Sequence, residues 1–393
     1  MRAISPFVPA DSDPHLAALA RDHGCKVIGS TSSVTPILSK LYNFISNQRP
    51  CDMPAMSSAF AKQPSSMVLS MQRPIAMNLK NDEGRYTIAK KDVAASMLAY
   101  PSAPADQVSV LTDLGHVLEN FLTMEPEDFQ NLMVKPARGE LTEEQSRARE
   151  KARATPQIYN FLRVGNCLFR SQLDCYDPAT GKVFDIKTRA TAGIRYNMEN
   201  YKEHLHTKQA NIDSLLGFWS SYEREYYDLV RSKFLPFSLQ LRIGQMDGAF
   251  LAYHNVREMF GFQYVSLEEI EHRIYGSSER ADWAFDRSCK LLEMVMAAIH
   301  RKHGDAGDLA LVTTIGRDSL DFYVDADEDA GPVDRKVSLF RLELKREMGG
   351  RVIPNGEPIM DSRREIRLSS SLTESEVPLK HYQKYLMHSM WSA

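Results

Sequence analysis

The chain has 393 residues, of which 43% are hydrophobic and 25% are charged, and its net charge is −3. This composition is typical of a globular protein with two domains or one elaborated domain. It excludes general basic attraction to nucleic acid, so any charge that binds RNA must be concentrated in a groove. The five cysteines include no Cys-x-x-Cys pair, which favours free thiols over a zinc site or a disulfide framework.

The sequence shows no membrane span and no clear targeting segment. No apolar run approaches the ~20 residues that a transmembrane helix needs. The first 14 residues contain one arginine, two aspartates and three prolines. A transit peptide is rich in arginine, poor in acidic residues and amphipathic, so these residues do not match one.

The first third of the chain predicts a short helix at 15–23, a strand at 25–29 and a longer helix. Thr35 and Pro36 predict the start of the longer helix, because threonine is a good N-cap and proline suits the first helical position. The Gly-Ser-rich stretch 29–33 before it either holds a phosphate or only caps and turns the chain. Residues 53–74 lack periodicity and predict a loop.

The central part of the chain predicts a helix at 106–124, with a broad apolar face, and a strand at 158–164. Two further strands follow, at 167–176 and 183–189, and Asp-Pro-Ala-Thr-Gly at 177–181 is a turn signal between them. These two strands predict a hairpin.

The register of this hairpin follows from its turn. Side chains alternate along a strand, so Asp185, Lys187 and Arg189 project from one face. A turn centred near residues 179 and 180 predicts three opposed pairs: Tyr176 with Val183, Asp174 with Asp185, and Gln172 with Lys187. Two carboxylates opposed at ~5 Å repel each other unless a cation lies between them.

Two carboxylates followed by a lysine are the arrangement that Mg²⁺-dependent nucleases of the two-carboxylate class use. Mg²⁺ binds one or two carboxylates and completes its shell with water and phosphate oxygens. The metal lowers the pKa of a bound water, and a lysine orients that water or offsets developing negative charge. The spacing alone also fits a surface hairpin with a solvated Asp-Lys pair.

The remainder of the chain predicts helices at 212–230 and 282–303 and several strands. The aromatic residues of the first helix are expected to lie in the core. A second acidic-x-Lys pair, Glu343 and Lys345, lies on one face of a predicted strand at 336–346. No tight turn places an acid opposite Glu343, and its neighbours are charges of alternating sign, typical of an edge strand. We therefore expect Glu343 to lie outside the site.

Segments 26–50, 168–190 and 243–267 resemble a family of fungal mitochondrial RNA-processing proteins, which is implicated in 5′-end processing and turnover of mitochondrial RNA. That family has been placed in the PD-(D/E)XK nuclease superfamily. By this resemblance the two acidic residues fall on Asp174 and Asp185, and the lysine falls on Lys187. The proline of the superfamily signature is replaced by Leu173.

The resemblance also implies further site residues. Nucleases of this class often carry a third acid on the helix before the sheet, and Glu119 is the candidate, with Asp113 behind it. Some relatives use a glutamine and a tyrosine after the lysine strand, which makes Gln240 or Gln245, and Tyr253, candidates. Asp174, Asp185 and Glu119 would hold the metal, Lys187 would position water, and RNA contacts are expected from a set of polar residues: Arg170, Gln172, Arg189, Arg195 and Lys208.

The sequence and the resemblance together predict an α/β fold with a PD-(D/E)XK nuclease-like core, in which helices flank a mixed sheet. The expected regions are an N-terminal extension (1–105), the core (106–267) and a C-terminal elaboration (268–393). The expected function is a Mg²⁺- or Mn²⁺-dependent ribonuclease in mitochondrial RNA processing. The alternative is a degenerate RNA-binding protein that stimulates a partner exoribonuclease. Expected partners are RNA, a mitochondrial exoribonuclease–helicase complex and the surface of a membrane.

Overall fold

The computed structural model describes residues 8–91, 105–133, 142–154, 157–327, 335–361 and 363–390. Within these ranges the chain has the predicted α/β architecture, with mixed sheets flanked by helices. The helices are α1 (Pro14–Asp22), α2 (Thr31–Ile45), α3 (Ala105–Thr123), α4 (Pro126–Met133), α5 (Glu143–Ala154), α6 (Ala192–Arg195), α7 (Tyr201–His204), α8 (Tyr222–Ser232), α9 (Phe234–Gly244), α10 (Leu267–Tyr275), α11 (Ser278–His303) and α12 (Leu379–Met390).

The strands are β1 (Val27–Ser30), β2 (Ile75–Asp82), β3 (Arg85–Lys90), β4 (Tyr159–Val164), β5 (Cys167–Gln172), β6 (Cys175–Asp177), β7 (Lys182–Ala190), β8 (Gly248–His254), β9 (Met259–Ser266), β10 (Leu309–Ile315), β11 (Ser319–Asp325), β12 (Lys336–Met348), β13 (Arg351–Ile353) and β14 (Ile366–Pro378). The described part of the chain forms a large sheet of ten strands and a small sheet of four.

The large sheet has the strand order β13-β12-β11-β10-β2-β3-β1-β5-β4, and β14 pairs with β12. β1 runs parallel to β3 and β5, and the other neighbours are antiparallel. Strands from all three predicted regions of the chain contribute to this sheet. The predicted region boundaries at 105 and 267 therefore do not separate one sheet from another. They stay a prediction about the sequence.

The small sheet has the order β6-β7-β8-β9, in which β7 and β8 are parallel. One apolar core joins it to the large sheet through the helices between them. The core contains Leu41 of α2, Leu239 of α9 and Leu292 of α11, together with Ile88 of the large sheet and Leu251 of the small sheet. Because these residues are all almost fully buried, the core sets the position of α9 relative to both sheets.

The second helix begins earlier than the sequence predicts. It starts at Thr31, directly after β1, and Ser30 and Ser33 form a capping box at its N-terminus. The Ser33 hydroxyl accepts a hydrogen bond from the Ser30 backbone N–H at 3.3 Å, and Pro36 lies inside the helix. The hydroxyl-rich stretch at 29–33 is thus part of a strand end and a helix cap, which favours the capping alternative.

The predicted helix at 212–230 is wrong over its first half. Residues 211–221 form a loop, and α8 begins at Tyr222, where the Ser221 hydroxyl accepts from the Arg224 backbone N–H at 3.0 Å. Gly217 and Ser220 have φ values of +127° and +52°, which a helix does not accommodate. Ile212 packs against the core, but three apolar side chains of this loop are exposed: Leu215 (73%), Leu216 (67%) and Trp219 (51%).

None of the helices that the structure describes is long and apolar enough to cross a membrane. The five cysteines are free thiols. Strand β4 and helix α3 match the predicted elements to within a residue, whereas the hairpin β2–β3 was not anticipated.

A buried lysine in α2 generates a test of the packing. Lys40 is 2% exposed, and its ammonium donates to the Met71 carbonyl oxygen at 2.5 Å. Burial lowers the pKa of Lys40 from 10.5 to about 7. Between pH 7 and 10.5 the unfolded chain therefore binds more protons than the folded chain. Over this window the free energy of unfolding rises with pH, because the buried lysine loses its costly charge.

Lys40→Met is expected to raise the free energy of unfolding at pH 7 by about 1–3 kcal/mol, because the methionine buries no charge and loses one hydrogen bond. The gain should shrink steadily towards pH 10. Urea denaturation of both proteins at several pH values measures this difference, and Lys62→Met, at an exposed position, is the matched control. A difference between variant and wild type that is the same at every pH would contradict the prediction.

Candidate active site

The β6–β7 hairpin forms as its turn chemistry predicts. Asp177 accepts hydrogen bonds from the Ala179 backbone N–H at 3.0 Å and the Thr180 hydroxyl at 2.5 Å. Gly181 has a φ of +71°, a conformation that glycine adopts without strain. Tyr176 pairs with Val183 in the predicted register.

The first strand of the predicted hairpin is two strands that belong to different sheets. β5 ends at Gln172 and pairs with β1 and β4 in the large sheet, where Gln172 lies opposite Tyr159. The chain then leaves the large sheet, and β6 begins at Cys175 in the small sheet. The predicted pairing of Gln172 with Lys187 is therefore wrong, because Gln172 pairs with β4 in the large sheet and not with β7.

Asp174 lies at the point where the chain changes sheets, just before β6. Its carboxylate accepts a hydrogen bond from the Ile186 backbone N–H at 3.0 Å. The strand pairing ends at Cys175 opposite Phe184, so the predicted strand pairing of Asp174 with Asp185 does not form. The two acids thus come together through a side-chain contact with the strand backbone rather than as a regular strand pair.

Asp185 is the buried centre of this group, with 1% of its surface exposed. Lys187 Nζ lies 2.8 Å from Asp185 Oδ1 and 2.7 Å from Oδ2, and Gln240 Nε2 donates to Oδ1 at 2.8 Å. Burial raises the pKa of Asp185; Lys187 opposes this rise, and the charge and hydrogen bond of Asp174 add to it. Burial lowers the pKa of Lys187, but the Asp185 and Asp174 carboxylates outweigh it and raise that pKa overall.

Glu119 extends from α3, which packs against the other face of β7 through Leu118 and Ile186. Its carboxylate is partly exposed and lies 3.4 Å from His116 Nδ1. Its charge is close enough to contribute to the raised pKa of Lys187. Among the described residues, however, no three acidic, histidine or cysteine side chains are close enough together to hold a metal ion. The side chain of Asp113 lies outside the described part.

The residues present fit a divalent cation at Asp174 and Asp185. Asp185 Oδ2 is buried and has no aligned hydrogen-bond donor, although Lys187 lies near it. Two neighbouring carboxylates with an unsatisfied oxygen form an acceptor set of the kind that Mg²⁺ and Mn²⁺ prefer, with the remaining positions left to water and phosphate oxygens. Glu119 does not complete this set in the described geometry.

Gln240 is the glutamine that reaches the site. It lies on α9 and contacts Asp185. Gln245 is the C-cap residue of α9 and has a left-handed φ of +52°. Tyr253 is buried, and its hydroxyl donates to Gln263 at 2.7 Å, so it supports the small sheet. The sequence reasoning did not select Phe237, although its ring centroid lies 6.0 Å from Lys187 Nζ. The helical spacing of Phe237 and Gln240 is the signal that could have found it.

The predicted RNA contacts differ in their surroundings. Arg170 is fully buried, and its guanidinium donates to Asp13 and to the Val8 carbonyl oxygen, so this side chain anchors the segment before α1. Arg189 is buried beside Glu225, Arg195 pairs with Glu225 and with Asp228 (2.8 Å), and Lys208 is exposed. Arg189 and Arg195 therefore lie in one cluster next to the site, and Arg170 and Gln172 do not belong to it.

Glu343 lies in the large sheet, between Ser319 of β11 and Ser371 of β14. Its neighbour Arg341 is paired with Asp321, at 2.9 Å and 2.8 Å. Asp174, Asp185 and Lys187 are in the small sheet or lead into it. The second acidic-x-Lys pair is therefore in another sheet from the candidate site.

The chain matches the family model described as "Mitochondrial protein Pet127" over residues 7–297. The chain belongs to this family. It is 33% identical over 298 residues to the Schizosaccharomyces pombe "mRNA degradation protein pet127, mitochondrial", covering 75% of this chain and 53% of the relative. It is 36% identical over 276 residues to the Saccharomyces cerevisiae "Putative mitochondrial translation system component PET127", covering 69% and 30%.

The match thus spans about half the length, or less, of these Pet127 relatives. Family membership confirms the predicted mitochondrial localisation. Solved structures that are similar include Scheffersomyces stipitis Rai1 (12% identity, 80% of this chain and 75% of that chain, TM-score 0.36) and Candida albicans Rai1 in complex with pU5-Mn²⁺ (12%, 78% and 73%, 0.38). These low TM-scores add nothing to the assignment of the site.

The acidic pair leads to a test with metal ions. Millimolar Mg²⁺ or Mn²⁺ is expected to raise the Tm of the protein by about 2–5 °C, since an ion that binds only the folded chain stabilises it. Asp185→Asn keeps the shape of the side chain but removes a carboxylate, and it should abolish the rise. Thermal unfolding with metal and with EDTA measures the effect.

Asp305→Asn, at an exposed turn, is the matched control and should respond to metal as wild type does. A full metal response in Asp185→Asn would place the ion elsewhere. A wild-type protein whose Tm is the same with metal and with EDTA would contradict a metal site altogether.

Proposed function

We propose that this chain is a metal-dependent ribonuclease that hydrolyses phosphodiester bonds of mitochondrial RNA at or near 5′ ends. The observation that carries the proposal is the group of Asp174, Asp185 and Lys187 at the start of the small sheet, with a buried acceptor oxygen on Asp185. Membership of a family with a relative named for mRNA degradation supports RNA as the substrate class. The boundaries of a nuclease core at 106–267 are part of the proposal.

The side chains have separate roles. Asp174 and Asp185 would hold Mg²⁺ or Mn²⁺, and Glu119 is the proposed third acidic residue. The bound ion would lower the pKa of a water molecule and offset charge on the phosphate. Lys187 donates hydrogen bonds towards the attacking water or the phosphate oxygens. Gln240 fixes the Asp185 carboxylate through its 2.8 Å hydrogen bond, and Phe237 limits the water around Lys187.

The surface near the site supports binding of a single strand. The guanidinium of Arg224 lies 4.7 Å from the ring centroid of Phe218 and 5.2 Å from that of Trp219. Trp219 is half-exposed in the loop before α8. An exposed aromatic ring held by an arginine provides a surface on which bases stack. Lys208 and Arg195 then contribute phosphate contacts beside this loop.

A second function is favoured by a specific observation. Lys187 Nζ lies within 2.8 Å of both Asp185 oxygens, so the buried carboxylate already has a cationic partner. The three acids also do not form a complete metal-binding group among the described residues. These contacts fit a degenerate site in an RNA-binding protein that stimulates a mitochondrial exoribonuclease–helicase complex. Association with such a complex, and with a membrane surface, stays a proposal.

Lys187→Ala separates the two functions. If the chain is a hydrolase, the variant should lose at least about 100-fold in rate on 5′-monophosphate RNA with Mg²⁺, because it lacks the donor at the reacting phosphate. Its RNA affinity should stay within a few-fold, since one contact is a small part of the electrostatic total. Rates are measured with Mg²⁺ and with EDTA, and affinity is measured with EDTA.

Lys182→Ala is the matched control, because Lys182 is exposed at the first position of the same strand. It should cut RNA as wild type does. If wild type cuts no RNA with any divalent metal and still stimulates a partner nuclease, the binding function replaces the hydrolase.

A further inference from the structure

Strand β7 and helix α9 face each other along one slot. Asp185, Lys187 and Arg189 lie on the same face of β7. Lys233, which precedes α9, and Phe237 and Gln240 on α9 follow one another at helical spacing. Gln240 contacts Asp185, and Phe237 lies beside Lys187. The charge of Arg189 contributes to a lowered pKa of Lys233, after the larger effect of burial, so these two side chains are also neighbours.

Arg189 at the far end of the slot is poorly satisfied. The residue is 6% exposed, and its Nε is buried without a hydrogen-bond partner. Its ion-pair contact is with Glu225, where Nε lies 3.4 Å from Oε2. Both Glu225 oxygens have other donors, since Oε1 accepts from the Ala192 backbone N–H at 2.6 Å and Oε2 accepts from Arg195. A buried Nε–H without a hydrogen bond is costly, because this donor has lost its water and gained no acceptor.

The charges around Arg189 do not balance within the described part of the chain. Glu225 and Asp228 are the carboxylates of the cluster, and they are shared among three cations: Arg189, Arg195 and Arg224. Partial burial lowers the pKa of Lys233, and the charges of Arg189 and Arg195 lower it further. One side of Lys233 is exposed, and the residue has no carboxylate partner in the described ranges. The cluster thus carries excess positive charge that opens to solvent at Lys233.

Lys233 is the C-cap residue of α8 and also the N-cap residue of α9. Its backbone N–H donates to the Leu229 carbonyl oxygen at 2.8 Å, and Pro236, the third residue of α9, has no N–H. The positive charge offered here is therefore the ammonium group, and an anion next to it would meet this ammonium group and the Arg189 guanidinium. A phosphate suits this combination, because arginine binds phosphate through parallel hydrogen bonds and lysine binds it as a point charge.

We propose that Arg189 and Lys233 form a subsite for one phosphate of an RNA strand, next to the phosphate at Lys187. This inference rests on the proposed function and adds a second phosphate contact further along the slot. Two residues along a strand advance by about 6.6 Å, a distance comparable to the spacing of neighbouring phosphates in an extended strand. The subsite holds either a 5′-terminal phosphate or the next internal phosphate.

The test is binding of short oligoribonucleotides to the full chain in EDTA, so that no cleavage is needed. A 5′-phosphorylated and a 5′-hydroxyl pentanucleotide of the same sequence are titrated by fluorescence anisotropy at several salt concentrations. Lys233→Gln is expected to weaken binding by about tenfold, as loss of a charge-assisted hydrogen bond does. The slope of the logarithm of the binding constant against the logarithm of the salt concentration should also fall in magnitude by about one unit, because one phosphate contact is lost. A purely structural role would not produce this change.

Controls keep the result interpretable. Lys290→Gln removes an exposed lysine from α11, where it pairs with Asp286, and should bind both oligonucleotides as wild type does. Arg189→Gln should weaken binding too, but it also disturbs the contact with Glu225. Its fold is therefore checked by thermal unfolding, and Lys233→Gln at the exposed edge stays decisive if Arg189→Gln is unstable.

The two oligonucleotides identify the source of the phosphate. Loss of affinity for the 5′-phosphorylated RNA alone supports a terminal-phosphate subsite, and equal loss for both supports an internal phosphate. Wild-type affinity and salt dependence of Lys233→Gln for both RNAs would overturn the subsite, even if Lys187→Ala abolishes hydrolysis. Conversely, weakened binding by Lys233→Gln with no hydrolysis by wild type would retain the subsite and reject the ribonuclease.

Discussion

The candidate site depends on one buried carboxylate, that of Asp185 on β7. A carboxylate at 1% exposure is costly unless charged and hydrogen-bonding partners surround it. Lys187 and Gln240 supply these partners from the same strand and from the facing helix. The helix reaches this position because Leu239 and Leu241 hold it in the core between the two sheets. The chemistry of the site therefore rests on core packing that lies outside the site.

The same pairing of strand and helix gives the slot a polarity. Its acidic end contains Asp174 and Asp185, and its basic end contains Arg189 and Lys233. Both ends lie within the part of the chain that matches the Pet127 family, residues 7–297. The strands after residue 297 extend the large sheet beyond β2. They complete the fold without contributing to the described contacts of the slot.

The errors of sequence reasoning have physical causes that can be named. The apolar spacing of residues 212–222 resembles a buried helix, but positive φ values at Gly217 and Ser220 make this segment a loop. Arg170 is a strand arginine like Arg189, but its guanidinium donates to Asp13, a contact that joins residues 157 positions apart and lies outside the site. Periodicity reports which side chains share a face, and it does not report what packs against that face.

The sequence by itself determined the face shared by Asp185, Lys187 and Arg189, the turn at 177–181 and the pairing of Tyr176 with Val183. These features are local, because side-chain alternation and turn chemistry act over a few residues. Only the tertiary structure decided that β5 and β6 belong to different sheets, and that α9 brings Gln240 and Lys233 to opposite ends of one slot. Those contacts join segments tens of residues apart, and competition among pairing partners and burial of the common core select them.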